Sequence, residues 1–185
     1  MVVSKGIVPP LRLACIMWAF FLAEQYFHKD FGFLGILPRE ISGLIGIFTA
    51  PMIHGSLSHI LSNTFPFLFL GTMLFMFYNS IALRVMLHCY VLTGACVWIF
   101  GRSFYHVGAS GLIYGLAFFL ISFGFFRKDF KSILIAIIVV ILYGGIIYGI
   151  MPTRTSVSWE SHLFGGLIGI GSAYAMRKDR SVDFD

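Results

Sequence analysis

Read for charge alone, the chain is a series of long apolar runs separated by short polar joints. No Asp, Glu, Lys or Arg occurs in 41–83, 85–101, 103–126 or 132–153. Each run can hold at least one helix of about 20 residues, the length that crosses a hydrocarbon core. The pattern predicts six spans, over approximately 11–27, 57–78, 81–100, 110–126, 133–150 and 161–176. Arg12 and Glu24, near the ends of the first, can extend their charged tips to the interface. The long first loop, 28–53, carries Pro38, Pro51 and several glycines. It also carries enough apolar residues (Phe31, Phe33, Leu34, Ile45, Phe48) to lie in the membrane interface. Only Asn79 and Ser80 separate the second and third spans, which must therefore form an antiparallel hairpin. The expected fold is an all-α membrane protein: a single domain over 1–185, a bundle of six transmembrane helices whose first span is retained because no small-residue cleavage site follows it.

Composition and charge then set orientation. With 58% hydrophobic and 11% charged residues, the chain has more apolar surface than a soluble domain of 185 residues can bury. A net charge of +5 would point to nucleic acid in a soluble protein, but here the basic residues flank apolar runs and act as topology signals, so no nucleic-acid partner is expected. Lys5, Arg12, Arg84, Arg127, Lys128, Lys131, Arg177, Lys178 and Arg180 fall on the side of the termini; Lys29, Arg39, Arg102 and Arg154 fall on the other. Nine against four predicts cytoplasmic termini. Such a face suits a bacterial inner membrane and would also suit an organelle. Cys15, Cys89 and Cys96 lie inside apolar segments without paired spacing, so buried thiols are expected rather than disulfides or a zinc site.

Topology brings chemistry-bearing residues to one level. The second, fourth and sixth spans all enter from the outer side. Ser110 opens the fourth, His162 lies near the start of the sixth, and His54, His59 and Asn63 lie in the first turns of the second. At about 1.5 Å per residue they share one depth. Intramembrane polar groups are costly and face a protein interior or a water-filled cavity. His59 and Asn63, at i and i+4, share a helix face. His162, Gly165 and Gly169 share another, and Gly111 and Gly115 give the fourth span a smooth edge beside Ser110. Such faces permit close helix approach, which would bring Ser110 and His162 into hydrogen-bonding reach. An imidazole there can take the serine proton during attack and return it to the leaving group. No third acidic member is expected: Glu160 reads as an interfacial loop residue on a different face, and Tyr114, one turn after Ser110, as the residue that packs on the imidazole. The Ser110 N–H at a helix start, the His59 imidazole and the Asn63 amide are the candidate oxyanion donors.

The stretches His54 to Asn63 (HGSLSHILSN), Gly108 to Gly111 (GASG) with Tyr114 following, and His162 to Gly169 (HLFGGLIG) resemble the rhomboid intramembrane serine proteases in order, spacing and placement. The resemblance covers nearly the whole chain as a minimal six-helix core. It implies Ser110 as nucleophile, His162 as general base and acid, and His59 with Asn63 lining the oxyanion hole. His54 would shape that hole. The implied substrates are membrane-anchored proteins cut in or near a transmembrane segment, with small residues at the cleavage site and helix-destabilising ones beyond. No cofactor is implied. In that family the fifth span, here with Gly144, Gly145 and Gly149, is where substrate is thought to enter, beneath a cap formed by 152–159.

Two family features are missing. Ile45 and Gly46 stand where many rhomboids carry a Trp-Arg pair in the first loop, and Phe75, Met76 and Phe77 stand where many carry Glu-x-Arg. His106 matches no motif. Three other readings compete. A zinc site on His54, His59 and His162 lacks an H-E-x-x-H motif or a carboxylate partner and leaves GASG unexplained. A transporter would show a polar midplane and inverted repeats, which the sequence lacks. A catalytically inactive rhomboid-like binder of transmembrane helices should lack Ser110 or His162, and both are present.

Overall fold

The computed structural model describes residues 2–152 and 157–179. It is all-helical. α1 spans Val2–Phe27, and the first loop then coils through 3₁₀ turns at Gly32–Leu34, Ile41–Leu44 and Ala50–Met52 around the one-turn helix α2, Gly46–Thr49. α3 is Leu57–Phe77. α4, Asn79–Leu87, continues through a π-helical segment, His88–Leu92, into α5, Thr93–Phe100, as one rod. α6 is Ser110–Arg127, α7 is Phe130–Tyr143 followed by a 3₁₀ segment, Gly144–Ile150, and α8 is Trp159–Met176.

Five of these units are long and apolar enough to cross a membrane: Gly6–Phe27, Leu57–Phe77, Asn79–Phe100, Ser110–Arg127 and Phe130–Ile150. α8, the sixth expected span, has the same 18-residue length as α6 but is less apolar. The reason is its cargo of Glu160, His162 and glycines, most of it buried against protein. The expected cap over 152–159 is only partly observable, because 153–156 lie outside the described residues.

α6 is the centre of the bundle. It buries Gly111 through Ala117 without a break, then Phe119, Leu120, Phe123 and Gly124. α8 runs parallel beside it at minimal spacing. A Cβ at Gly165 would lie 2.1 Å from the Gly111 carbonyl oxygen, and one at Gly169 would lie 2.2 Å from that of Gly115. Only glycine permits that approach, which gains dispersion contact where lipid supplies no hydrophobic drive between helices. α1 docks on α3 through Pro10 against Gly71, and Trp18 donates from Nε1 to Thr64 Oγ1 at 3.1 Å. Trp18 is thus a packing residue. The N-terminal end of α1 meets the end of α3 at Gly6 and Met76, and Asp179 pairs with Arg84, so both ends of the described chain lie at one end of the bundle.

The first loop is more tightly built than its sequence implied. Ile36 and His106 exchange both main-chain hydrogen bonds at 2.9 Å, and Gly46 sits so close to Gly35 that a Cβ would meet its carbonyl oxygen at 2.3 Å. Arg39 donates from Nη1 to the Gly101 carbonyl at 2.8 Å and from Nη2 to Ser103 Oγ at 2.9 Å, while Trp98 Nε1 donates to the Glu40 carbonyl at 2.9 Å. These contacts brace the first loop against the segment 98–103.

Candidate functional site

The loop before α6 delivers Ser110. Gly108 takes φ +101°, a left-handed conformation that a side chain resists, and its N–H donates to the Ala50 carbonyl at 2.8 Å. A Cβ there would also lie 2.7 Å from His59 Nε2, so the glycine lets that imidazole approach the serine loop. Ser110 then opens α6, where the first N–H groups have no intrahelical acceptor.

The α6–α8 seam brings His162 to it. The His162 Nε2 to Ser110 Oγ distance is 2.9 Å. On the other side of the ring, Nδ1 lies 2.8 Å from the Gly149 carbonyl oxygen. Tyr114 stacks flat on the imidazole, with centroids 4.0 Å apart and 4° between planes. Gly111, Gly165 and Gly169 are the contacts that make this separation possible.

α3 supplies the facing wall. Ser56 caps it by accepting from the His59 N–H at 3.1 Å, which fixes the first turn. His59 and Asn63 both line a cavity of about 660 Å³ shared with Ser110, Tyr114 and His162. One Asn63 N–H donates to the His59 carbonyl at 2.8 Å, leaving the second hydrogen of the same amide to point elsewhere. His54 lies behind His59, fully buried, with ring centroids 4.9 Å apart. Burial, with the neighbouring His59 adding to it, pushes the His54 imidazole down to about 4, so it is neutral at pH 7. Among the described residues, no three His, Cys, Asp or Glu side chains converge as metal ligands.

Several participants escaped the sequence reading. Glu160 is not a loop residue at the interface: it sits in the first turn of α8, 3% exposed, and its carboxylate is clasped by Arg102. Arg102 Nη2 donates to Glu160 Oε2 at 3.0 Å and to the Val157 carbonyl at 3.1 Å. The Arg102 carbonyl lies 2.9 Å from His106 Nε2, and His106 Nδ1 lies 2.5 Å from Ser158 Oγ, the cap of α8. Because a carbonyl can only accept, His106 Nε2 carries the hydrogen, and the neutral ring receives the Ser158 hydroxyl at Nδ1. Burial favours that neutral form by lowering the His106 pKa. His106 therefore has a place: it closes a circuit between the loop before Ser110 and the helix start before His162. The available signal was Arg102, a single charge between two charge-free runs, with Glu160 as its possible counter-ion.

Comparison with known proteins adds a family. The family model described as a Rhomboid domain matches residues 42–179. Among similar proteins is an uncharacterized protein of Mycobacterium tuberculosis, 32% identical over 185 residues and covering 93% of this chain and 77% of its own length. An uncharacterized protein of Mycobacterium leprae is 32% identical over 190 residues, covering 96% and 75%.

Proposed function

The chain belongs to the rhomboid family, and on that premise we propose that it is a serine endopeptidase cutting membrane-anchored proteins in or near their transmembrane segment. The observation that carries the reading is the 2.9 Å contact between Ser110 Oγ and His162 Nε2 at the wall of a cavity within the bundle. On this reading Ser110 Oγ attacks the scissile carbonyl as its proton passes to His162 Nε2. The tetrahedral oxyanion receives hydrogen bonds from the Ser110 N–H, the His59 imidazole and the Asn63 amide. Collapse expels the amine, protonated by His162, and leaves an acyl-Ser110. Water, deprotonated by the same imidazole, then releases the acid. Tyr114 holds the ring flat against α6, and His54 supports His59 from behind. Neither cofactor nor metal enters the sequence of steps.

On this reading the favoured substrate segment carries small and helix-destabilising residues, which let it present an extended backbone to Ser110 and His162. The site lies in a multi-pass membrane protein. A bacterial inner membrane with the termini cytoplasmic is the placement that the basic residues and the mycobacterial relatives support.

The test is cleavage of a single-span reporter in liposomes. Ser110→Ala and His162→Ala should each abolish it while the protein stays folded, and a serine-directed fluorophosphonate should label Ser110 in the unsubstituted protein. Cleavage undiminished in Ser110→Ala would overturn the assignment. A folded, reporter-binding protein that neither cleaves nor labels would mark it as an inactive binder of transmembrane helices.

A further inference from the structure

We propose that the main-chain carbonyl of Gly149 is the positioning acceptor for the general base, fixing the tautomer of His162 and thereby arming Ser110. The inference rests on the protease reading above. Among the described residues the Ser-His pair has no carboxylate partner: the nearest acid along the chain, Glu160, is committed to Arg102. Yet a neutral imidazole serves as base only if its hydrogen sits on the nitrogen remote from the serine. His162 Nδ1 lies 2.8 Å from Gly149 O, and a carbonyl oxygen has no hydrogen to give. Nδ1 must therefore carry the hydrogen. That leaves Nε2 with a lone pair facing Ser110 Oγ at 2.9 Å, the arrangement proton transfer requires. The proton leaves Ser110 Oγ for Nε2 during attack, and Nδ1–H stays on Gly149 O throughout. The resulting imidazolium is then stabilised by the same carbonyl.

The residue is glycine for a reason visible in the packing. A Cβ at position 149 would lie 1.8 Å from the Tyr114 hydroxyl oxygen, 3.0 Å from Tyr114 Cζ and 3.2 Å from His162 Nδ1. The backbone must touch both the ring and the residue stacked on it, and no side chain fits between. The carbonyl belongs to Gly144–Ile150, a 3₁₀ segment that buries none of its residues. The general base is consequently referenced to the least anchored part of the bundle, and the pair is armed only while that segment is seated.

The test uses full-length protein in detergent and liposomes, comparing unsubstituted protein with Gly149→Ala, Tyr114→Phe and Gly149→Ala/Tyr114→Phe. Gly171→Ala serves as control, because a Cβ there meets nothing within 4 Å. Labelling of Ser110 by a fluorophosphonate and reporter cleavage are followed together. In Gly149→Ala the labelling rate and kcat should fall roughly 100-fold with KM little changed. The ring ¹⁵N signals of His162 should move from a single Nδ1–H tautomer to a mixture. Removing the blocking hydroxyl should restore the double variant to within roughly tenfold of Tyr114→Phe alone. A wild-type labelling rate in Gly149→Ala, an unchanged tautomer, or a loss not relieved by Tyr114→Phe would overturn the inference. If the unsubstituted protein is itself neither labelled nor active, it is the protease reading that fails.

Discussion

His162 stands between two unlike neighbours. On one side is the α6–α8 seam, where glycine meets main-chain carbonyl and α6 is buried without a break from Gly111 to Ala117. On the other are α7, with only Ser132, Ile135 and Val139 buried, and the segment Gly144–Ile150, with none. The first side sets the distance to Ser110; the second sets the protonation pattern of the ring. On the protease reading, a site closed on all sides could not admit a polypeptide, whereas one open on all sides could not hold 2.9 Å. Dividing the two tasks between a rigid and a loose wall resolves that conflict.

The contrast can be broken most severely at the seam. Gly165→Ala puts a methyl 2.1 Å from the Gly111 carbonyl, so the helices must separate. We expect a loss of about 3 kcal/mol or more, at the upper end of overpacking costs, together with complete loss of Ser110 labelling. Thermal melting with parallel labelling reads both, and a wild-type melt would show that the seam is not rigid. Next is Glu160→Gln, which leaves Arg102 without its counter-charge. Removing one partner of a buried pair costs about 3–5 kcal/mol. Here the charge left behind, Arg102, is 38% exposed and solvated by water, so we expect a smaller loss in the same melt, about 1–2 kcal/mol.

A smaller effect sharpens the comparison by pH. His54, behind His59 on the wall that faces the seam, is held near 4 when folded against 6.5 when free. The unfolded chain therefore binds the proton first. Stability is full above about pH 6.5 and should decline as pH falls toward 4, with His54→Asn flattening the decline. A pH-independent melt in this window would mean His54 is not buried as described. The smallest change is expected on the loose side: Ile141, 76% exposed on α7, should tolerate Ala with a shift under about 0.5 kcal/mol. A large loss there would mean that α7 is held by contacts absent from the bundle.

What could be read from sequence follows from how local each signal is. The spacing of His162, Gly165 and Gly169, and of Ser110, Gly111 and Gly115, encodes a helix face directly, and the seam those residues form is the one observed. The ends of the spans were also nearly legible: α3 stops at Phe77 and α6 begins at Ser110, but Asn79 and Ser80, expected as a turn, open α4, and the joint is Tyr78. The fifth span was legible in extent, Phe130–Ile150, but not in form, since its regular helix gives way at Gly144 to a 3₁₀ segment. Glu160 was misplaced because a helix wheel ignores that side chains lean toward the helix N-terminus, which carries its carboxylate back to Arg102. Gly149 O was illegible for a deeper reason: every residue has a carbonyl, and only tertiary structure says which one faces an imidazole.

The brace of the first loop has a consequence for which substitutions it can absorb. Arg39 and Trp98 grip carbonyl oxygens, and Ile36 and His106 are joined through their peptide groups. A main-chain acceptor is present whatever side chain stands at its position. Such a brace tolerates side-chain exchange on its acceptor side, at Glu40 and Gly101, while its hold depends on the two donors, Arg39 and Trp98.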